Sequence, residues 1–233
     1  MGSPLALHPA SFRAGLAPQR CDIWHLLGHD FGLAAFTKLW LTRRMSKEHL
    51  YTVTNTWADN KGCGTASYTA YGRDFTLSTS NADKPTIAGS ADPAFMGDAN
   101  GWNPEELFVA SVSSCHKLWY LHFAQRAGLC VLHYEDTAQG IMVEDGLKGG
   151  RFTSVTLRPI SMVARASALA ALEKAGTLPN AADALDTPEA VAALNTLNAD
   201  IHNKAHAACF VAASLSCPVT VEGSLRLAES PVS

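Results

Sequence analysis

Two of the six cysteines in this 233-residue chain occupy segments able to hold a thiol rigidly. Cys115 lies inside an apolar run opened by Asn103, Pro104, Glu105 and Glu106, and Cys209 lies near the end of a second helical segment, shortly before Cys217 and Pro218. A thiol fixed on a buried helix, with a second thiol in folding reach, can cycle between thiolate, sulfenate and disulfide. The competing reading is that both are small core residues, because free cysteine is among the most buried side chains. Cys63, Cys130 and Cys217 are read as structural in that sense. There is no CxxC pair, so a zinc site would need ligands gathered from far apart. His202, His206 and Cys209 follow one another at i, i+4 and i+7 and share a helix face, which makes a metal site the sharpest rival, although no fourth ligand is evident.

A thiol of ordinary pKa, about 8.5, is only a few per cent ionised at neutral pH, and burial suppresses the anion further unless a cation compensates. Candidate cations are Lys61 and Arg73 in early loops, and His116, which follows Cys115 but points about 100° away around the helix. His116 is expected to pack or hydrogen-bond elsewhere. Glu105 precedes Cys115 by ten positions, a rise of about 15 Å along a straight helix. Its role toward the sulfur is therefore indirect: through a helix break, through another subunit's site, or by steering a basic residue. The plain alternative is a favourable charge at the helix N-terminus, worth some tenths of a kcal/mol.

The elements that must position these groups are legible. Asn103 can cap, Pro104 suits the first helical position, Glu105 and Glu106 complement the macrodipole, and Gly128 ends the helix. Apolar residues from Leu107 to Phe123 cover most of its circumference, predicting a helix enclosed on nearly all sides. Before it, Tyr51 to Trp57, Thr65 to Tyr71 and Phe75 to Thr79 read as a strand meander, and residues 80 to 102 as a long loop. After it come strands over about Cys130 to Val143 and Phe152 to Ala164, joined by a glycine-containing turn. A short helix near residues 167 to 175, a helix from Thr187 to about Ala213 and a last strand from Pro218 to Leu227 complete the chain. This order predicts an α+β fold with antiparallel pairing.

A hydrophobic share of 47% against 17% charged residues predicts a soluble globular protein with a sizeable core. A net charge of -3 gives no footprint for nucleic acid, and Lys117, His122 and Arg126 interrupt the most apolar stretch, so neither nucleic acid nor membrane is an expected partner. The cysteines lack the dense spacing of a secreted disulfide framework, which points to a reducing cytoplasm. Residues 1–44 differ from the rest, with five basic and two acidic side chains and no sustained period, and read as an extension upstream of a single domain over residues 45–233. No bound cofactor is expected.

The run Asn103-Pro104-Glu105-Glu106-Leu107-Phe108-Val109-Ala110-Ser111-Val112-Ser113-Ser114-Cys115 resembles the helix motif of the OsmC/Ohr family, osmotically inducible protein C and organic hydroperoxide resistance protein. Cys209 is similar in placement to that family's second cysteine. The resemblance spans roughly Tyr51 to Leu227. It implies an intertwined homodimer with active sites at the subunit interface, in which Cys115 is peroxidatic, Cys209 resolves it as a disulfide, and Glu105 helps an early-loop arginine to activate the thiol. Lys61 stands where that arginine is expected; lysine keeps the charge but not the planar two-pronged donor. The Ala-rich segment at about 168–192 looks like an insertion by the same comparison. The implied activity is reduction of organic hydroperoxides to alcohols with an external dithiol as reductant. The alternative is a non-catalytic protein of the same fold that binds a hydrophobic ligand in its interface pocket.

Overall fold

The computed structural model describes residues 47–146, 149–177 and 185–228. The expected extension over residues 1–44 lies outside the described residues. The chain divides at Tyr51 and Thr52; of the first unit only residues 47–51 are described, without regular structure. Every described helix and strand belongs to the second unit.

That unit is α+β. Strands β1 (Thr54–Trp57), β2 (Phe75–Ser78) and β3 (Ile87–Gly89) form an antiparallel sheet ahead of helix α1 (Pro104–Ala127). Four strands follow: β4 (Val131–Asp136), β5 (Gln139–Glu144), β6 (Gly150–Leu157) and β7 (Pro159–Val163). Helices α2 (Arg165–Lys174), α3 (Pro188–Ala208) and the single turn α4 (Phe210–Ala213) precede β8 (Val219–Val221) and β9 (Ser224–Leu227).

Helix α1 begins where its sequence signals place it. Asn103 Oδ1 accepts from the Glu106 amide at 2.7 Å while Glu106 Oε2 accepts from the Asn103 amide at 3.1 Å, so two otherwise orphaned donors are satisfied reciprocally. It ends at Gly128, whose φ of 90° is open to glycine. Replacing Asn103 by alanine is expected to lower stability by about 1 kcal/mol, read as a lower urea midpoint at unchanged m-value.

The three long strands expected near residues 130–143, 152–164 and 218–227 are each divided in two. One half joins the sheet β4-β7-β9 and the other the sheet β5-β6-β8, each combining an antiparallel with a parallel pair. Arg158 holds the breaks together. Its amide donates to Asp136 Oδ1 at 2.7 Å, its guanidinium pairs with Glu222 Oε2 at 3.0 Å, and it reaches Gln139 Oε1 at 3.4 Å. Pro159 lacks a ladder donor and Gly223 lacks a side chain, so two of the breaks were marked in the sequence.

Other expectations need correction. Thr65 to Tyr71 forms turns instead of a strand, because Arg73 draws its two tyrosines around one cation: the guanidinium lies 4.2 Å from the Tyr71 ring centroid and 4.7 Å from that of Tyr68, and bonds the carbonyls of both. The supposed structureless loop 80–102 contains β3 and a short 3-10 turn, Pro93–Phe95, capped by Asp92. The second long helix stops at Ala208 instead of running to Ala213. Nor is α1 enclosed on nearly all sides in the single chain: Val112, His116, Tyr120 and Ala124 form one buried stripe, while Leu118 is 64% exposed.

The main core lies between that stripe, α2, α3 and β7, where Tyr120, Val163, Leu172, Leu194 and Ile201 pack together. Ala168, Ala171 and Leu172 of the Ala-rich segment are part of it, so one face of the described portion of 168–192 contributes to the core while Glu173 to Thr177 are exposed. A second cluster sets Val112 against Val155 and Leu157. Helices α1 and α3 are thus packed on each other by apolar contact before any polar group is considered.

Candidate functional site

Cys115 occupies the middle of α1 and is partly buried; Cys209 follows α3 and is completely buried. Although 94 positions separate them in sequence, the Cys115 side chain lies within hydrogen-bonding reach of the Cys209 thiol. Neither is in a disulfide. Burial and the bond to Cys115 push the Cys209 thiol up to about 11, which keeps it protonated at neutral pH and able to donate to the other sulfur.

The break between α3 and α4 is what presents Cys209. Its backbone, at φ -71° and ψ 107°, is extended, so the helix cannot continue through it. The sulfur then accepts from the Ala212 amide at 3.4 Å and caps the following turn. This amide favours the thiolate of Cys209, but desolvation outweighs it.

On its open side Cys115 meets a cavity of about 620 Å³ lined by Leu118, Trp119, His122 and Phe210. The lining is overwhelmingly apolar. Phe210 is 73% exposed and packs edge-on against Trp119, with centroids 5.5 Å apart. His122 was missed in the sequence reading, yet it stands seven residues after Cys115, two helical turns along the same face. Neither lysine nor arginine is among these lining residues.

Behind Cys115 lies a buried polar cluster. His116 Nε2 and His202 Nδ1 are 3.0 Å apart and joined by a hydrogen bond, with the rings nearly parallel. Tyr120 stacks on His202 at 4.3 Å, and its hydroxyl bonds Ser161 Oγ at 2.7 Å and Asn198 Oδ1 at 2.9 Å. Burial lowers both imidazoles to about 4; Asp136 works against this at His116, and each histidine's neighbours add to it. Both are therefore neutral at physiological pH. His116 thus makes a structural bond, as its orientation on the helix implied.

The metal alternative finds no support in this arrangement. His202 is turned inward to His116 and is buried, whereas His206 is exposed. Among the described residues no group of three histidine, cysteine or acidic side chains is placed to hold an ion.

Residues 97–178, from just before the capped start of α1 through the strands to α2, match the family model described as OsmC-like protein. Over that stretch the chain is similar to OsmC-like proteins. An OsmC-like protein of unknown function from Vibrio cholerae O1 biovar eltor shares 26% identity, with a TM-score of 0.57 over 76% of this chain and 100% of that one. A hypothetical protein from Aquifex aeolicus has the same fold at 12% identity, with a TM-score of 0.50 over 78% and 100%. An organic hydroperoxide resistance protein from Elizabethkingia anophelis gives 16% identity and a TM-score of 0.48 over 79% and 100%. No curated protein matches the chain.

The other two expected site residues, Glu105 and Lys61, stand apart from the sulfurs. Glu105 lines a different cavity, of about 660 Å³, with Asp92, Glu106, Ser113 and Asp136. Helix α1 is continuous between Glu105 and Cys115, so of the indirect roles considered for the glutamate, a helix break drops out. Lys61 sits at a turn with φ 52°, half exposed, and faces Asp59 at 3.9 Å. Arg73 is held in its tyrosine clamp and also approaches Met96 Sδ at 3.9 Å. Among the described residues no helix is long and apolar enough to cross a membrane.

Proposed function

We propose that this OsmC-like protein is a thiol peroxidase acting on organic hydroperoxides. The observation that carries this reading is that two free thiols, 94 residues apart in sequence, lie within hydrogen-bonding reach of each other, one of them, Cys115, lining an apolar cavity. The Cys115 thiolate attacks the distal oxygen of R–O–O–H; the O–O bond breaks, an S–OH group forms, and the alkoxide leaves and takes a proton to become the alcohol. The Cys209 thiol then attacks the sulfenic sulfur, an S–S bond forms and water departs. An external dithiol reduces the disulfide and is itself oxidised.

The apolar lining suits a bulky organic substituent on the peroxide better than hydrogen peroxide. A cation has to come from elsewhere, and a homodimer in which the early hairpin of one chain approaches the other chain's site supplies it through Lys61 or Arg73, with Glu105 as the carboxylate that steers it. Support comes from the exposure of β1 along its whole length and of the apolar Trp57, Leu118 and Phe210. Cytoplasmic placement fits the free thiols.

One equivalent of cumene hydroperoxide is expected to remove two titratable thiols per chain, and peptide mapping to find Cys115 joined to Cys209. In Cys209→Ser the same addition is expected to give a single turnover and a sulfenate that dimedone traps. Retention of every thiol after peroxide addition would favour the second reading, a hydrophobic-ligand binder, which rests on the same apolar cavity.

A further inference from the structure

The buried imidazole pair takes no part in the chemistry above, yet it is built with care. His116 immediately follows Cys115 on α1, and His202 precedes Cys209 by seven positions on α3, so one hydrogen bond ties together the two helices that carry the sulfurs. Three surroundings hold His202 in place. Tyr120 stacks on one side of it, His116 bonds its Nδ1, and Gly223 leaves room for its Nε2. A Cβ at Gly223 would lie 2.3 Å from that nitrogen, so the turn between β8 and β9 closes onto the ring. Tyr120 is in turn fixed by Ser161 and Asn198.

The arrangement is costly. His116 Nδ1 and His202 Nε2 are buried without a hydrogen-bond partner. Whichever ring donates across the pair, one buried N–H and one buried lone pair are left over. An apolar pair of similar size would avoid both penalties, so packing alone does not account for two histidines here.

We propose that His116 and His202 are positioning residues whose mutual hydrogen bond sets the approach of Cys115 to Cys209. Apolar contact lets two helices slide along each other with little change in buried area, whereas a hydrogen bond within 3.0 Å is directional and fixes one register. Disulfide closure needs that register, because thiols displaced by an ångström or so lose most of the advantage of proximity. The inference rests on the thiol pair of the proposed peroxidase but not on the peroxide step.

The test is equilibration of the full chain with reduced and oxidised dithiothreitol at pH 7, counting the Cys115–Cys209 disulfide by mass spectrometry. This uses no peroxide, so it remains readable if peroxidase activity is absent. His202→Leu is expected to lower the effective concentration of the two thiols at least about tenfold. The double variant His116→Gln with His202→Asn places an amide where each bonded nitrogen stood and is expected to stay within about threefold of the unaltered protein. A folded His202→Leu protein within twofold of the unaltered one overturns the proposal, and so does a folded double variant as impaired as the leucine variant. If His202→Leu does not fold, the double variant decides: retention supports the positioning role, and a tenfold loss refutes it.

Discussion

Cys115→Ser is expected to end peroxide consumption, lowering kcat/KM on the order of 10³-fold or more, as when any nucleophile that acts in concert with its surroundings is removed. The serine hydroxyl is nearly isosteric and can still accept from Cys209, so the fold and the apolar cavity survive. What is lost is the chemistry, because a serine oxygen is not ionised at neutral pH and is a poor nucleophile toward peroxide oxygen. Loss of activity with an unchanged urea midpoint therefore assigns the effect to the sulfur. Stopped-flow consumption of cumene hydroperoxide checks it, and residual activity within tenfold of the unaltered protein would remove Cys115 from the role of nucleophile. Cys209 offers no substitute at the first step, since its thiol is held up at about 11 and is completely buried.

The second large effect is on stability in acid. In the folded chain His116 and His202 are held at about 4, whereas in the unfolded chain they return to about 6.5, so the unfolded state takes up protons first as pH falls. Stability is thus complete above about pH 6.5 and declines toward pH 4, with no further loss from these groups below that. One imidazole shifted this far corresponds to roughly 3 kcal/mol. The pair does not contribute twice that figure, because the charge of one is part of what lowers the other and the two titrate together. Asp136 reduces the effect at His116 by favouring its cation. Urea midpoints at pH 7, 6, 5 and 4.5 are expected to fall in the unaltered protein and to fall distinctly less in His116→Gln with His202→Asn. Equal slopes in both proteins would show that the acid sensitivity resides in other groups.

Both expectations turn on contacts between residues 86 and 94 positions apart, and that divides what could be read in advance from what could not. The start and end of α1 were legible because the capping asparagine, the proline at the first position and the terminal glycine each act within a few residues of the end they mark. The first half of the site was legible for the same reason: Cys115 sits on that helix at a fixed distance from its cap. The end of α3 was not. Nothing between Ala205 and Ala213 breaks a helix by its own propensity, and Cys209 leaves the helix because its sulfur caps the next turn and meets Cys115. The meander strand over Thr65 to Tyr71 failed because its β-branched and aromatic residues favour a strand equally well whether or not Arg73 gathers the rings.

The amino-acid sequence by itself determined the α+β class, the first long helix with both its ends, the start of the second, most of the strand segments, and which two cysteines to examine, since these depend on periodicity or on neighbours a few residues apart. Only the tertiary structure decided that the two thiols come within reach of each other, that Glu105 opens on a different cavity from Cys115, and that His116 bonds His202 across 86 positions instead of serving the sulfur beside it. The physical reason is range. Helix and strand signals act over one or two turns, but the meeting of α1 with α3 is set by the summed packing of their apolar faces, and no local pattern encodes which polar side chains that packing brings together.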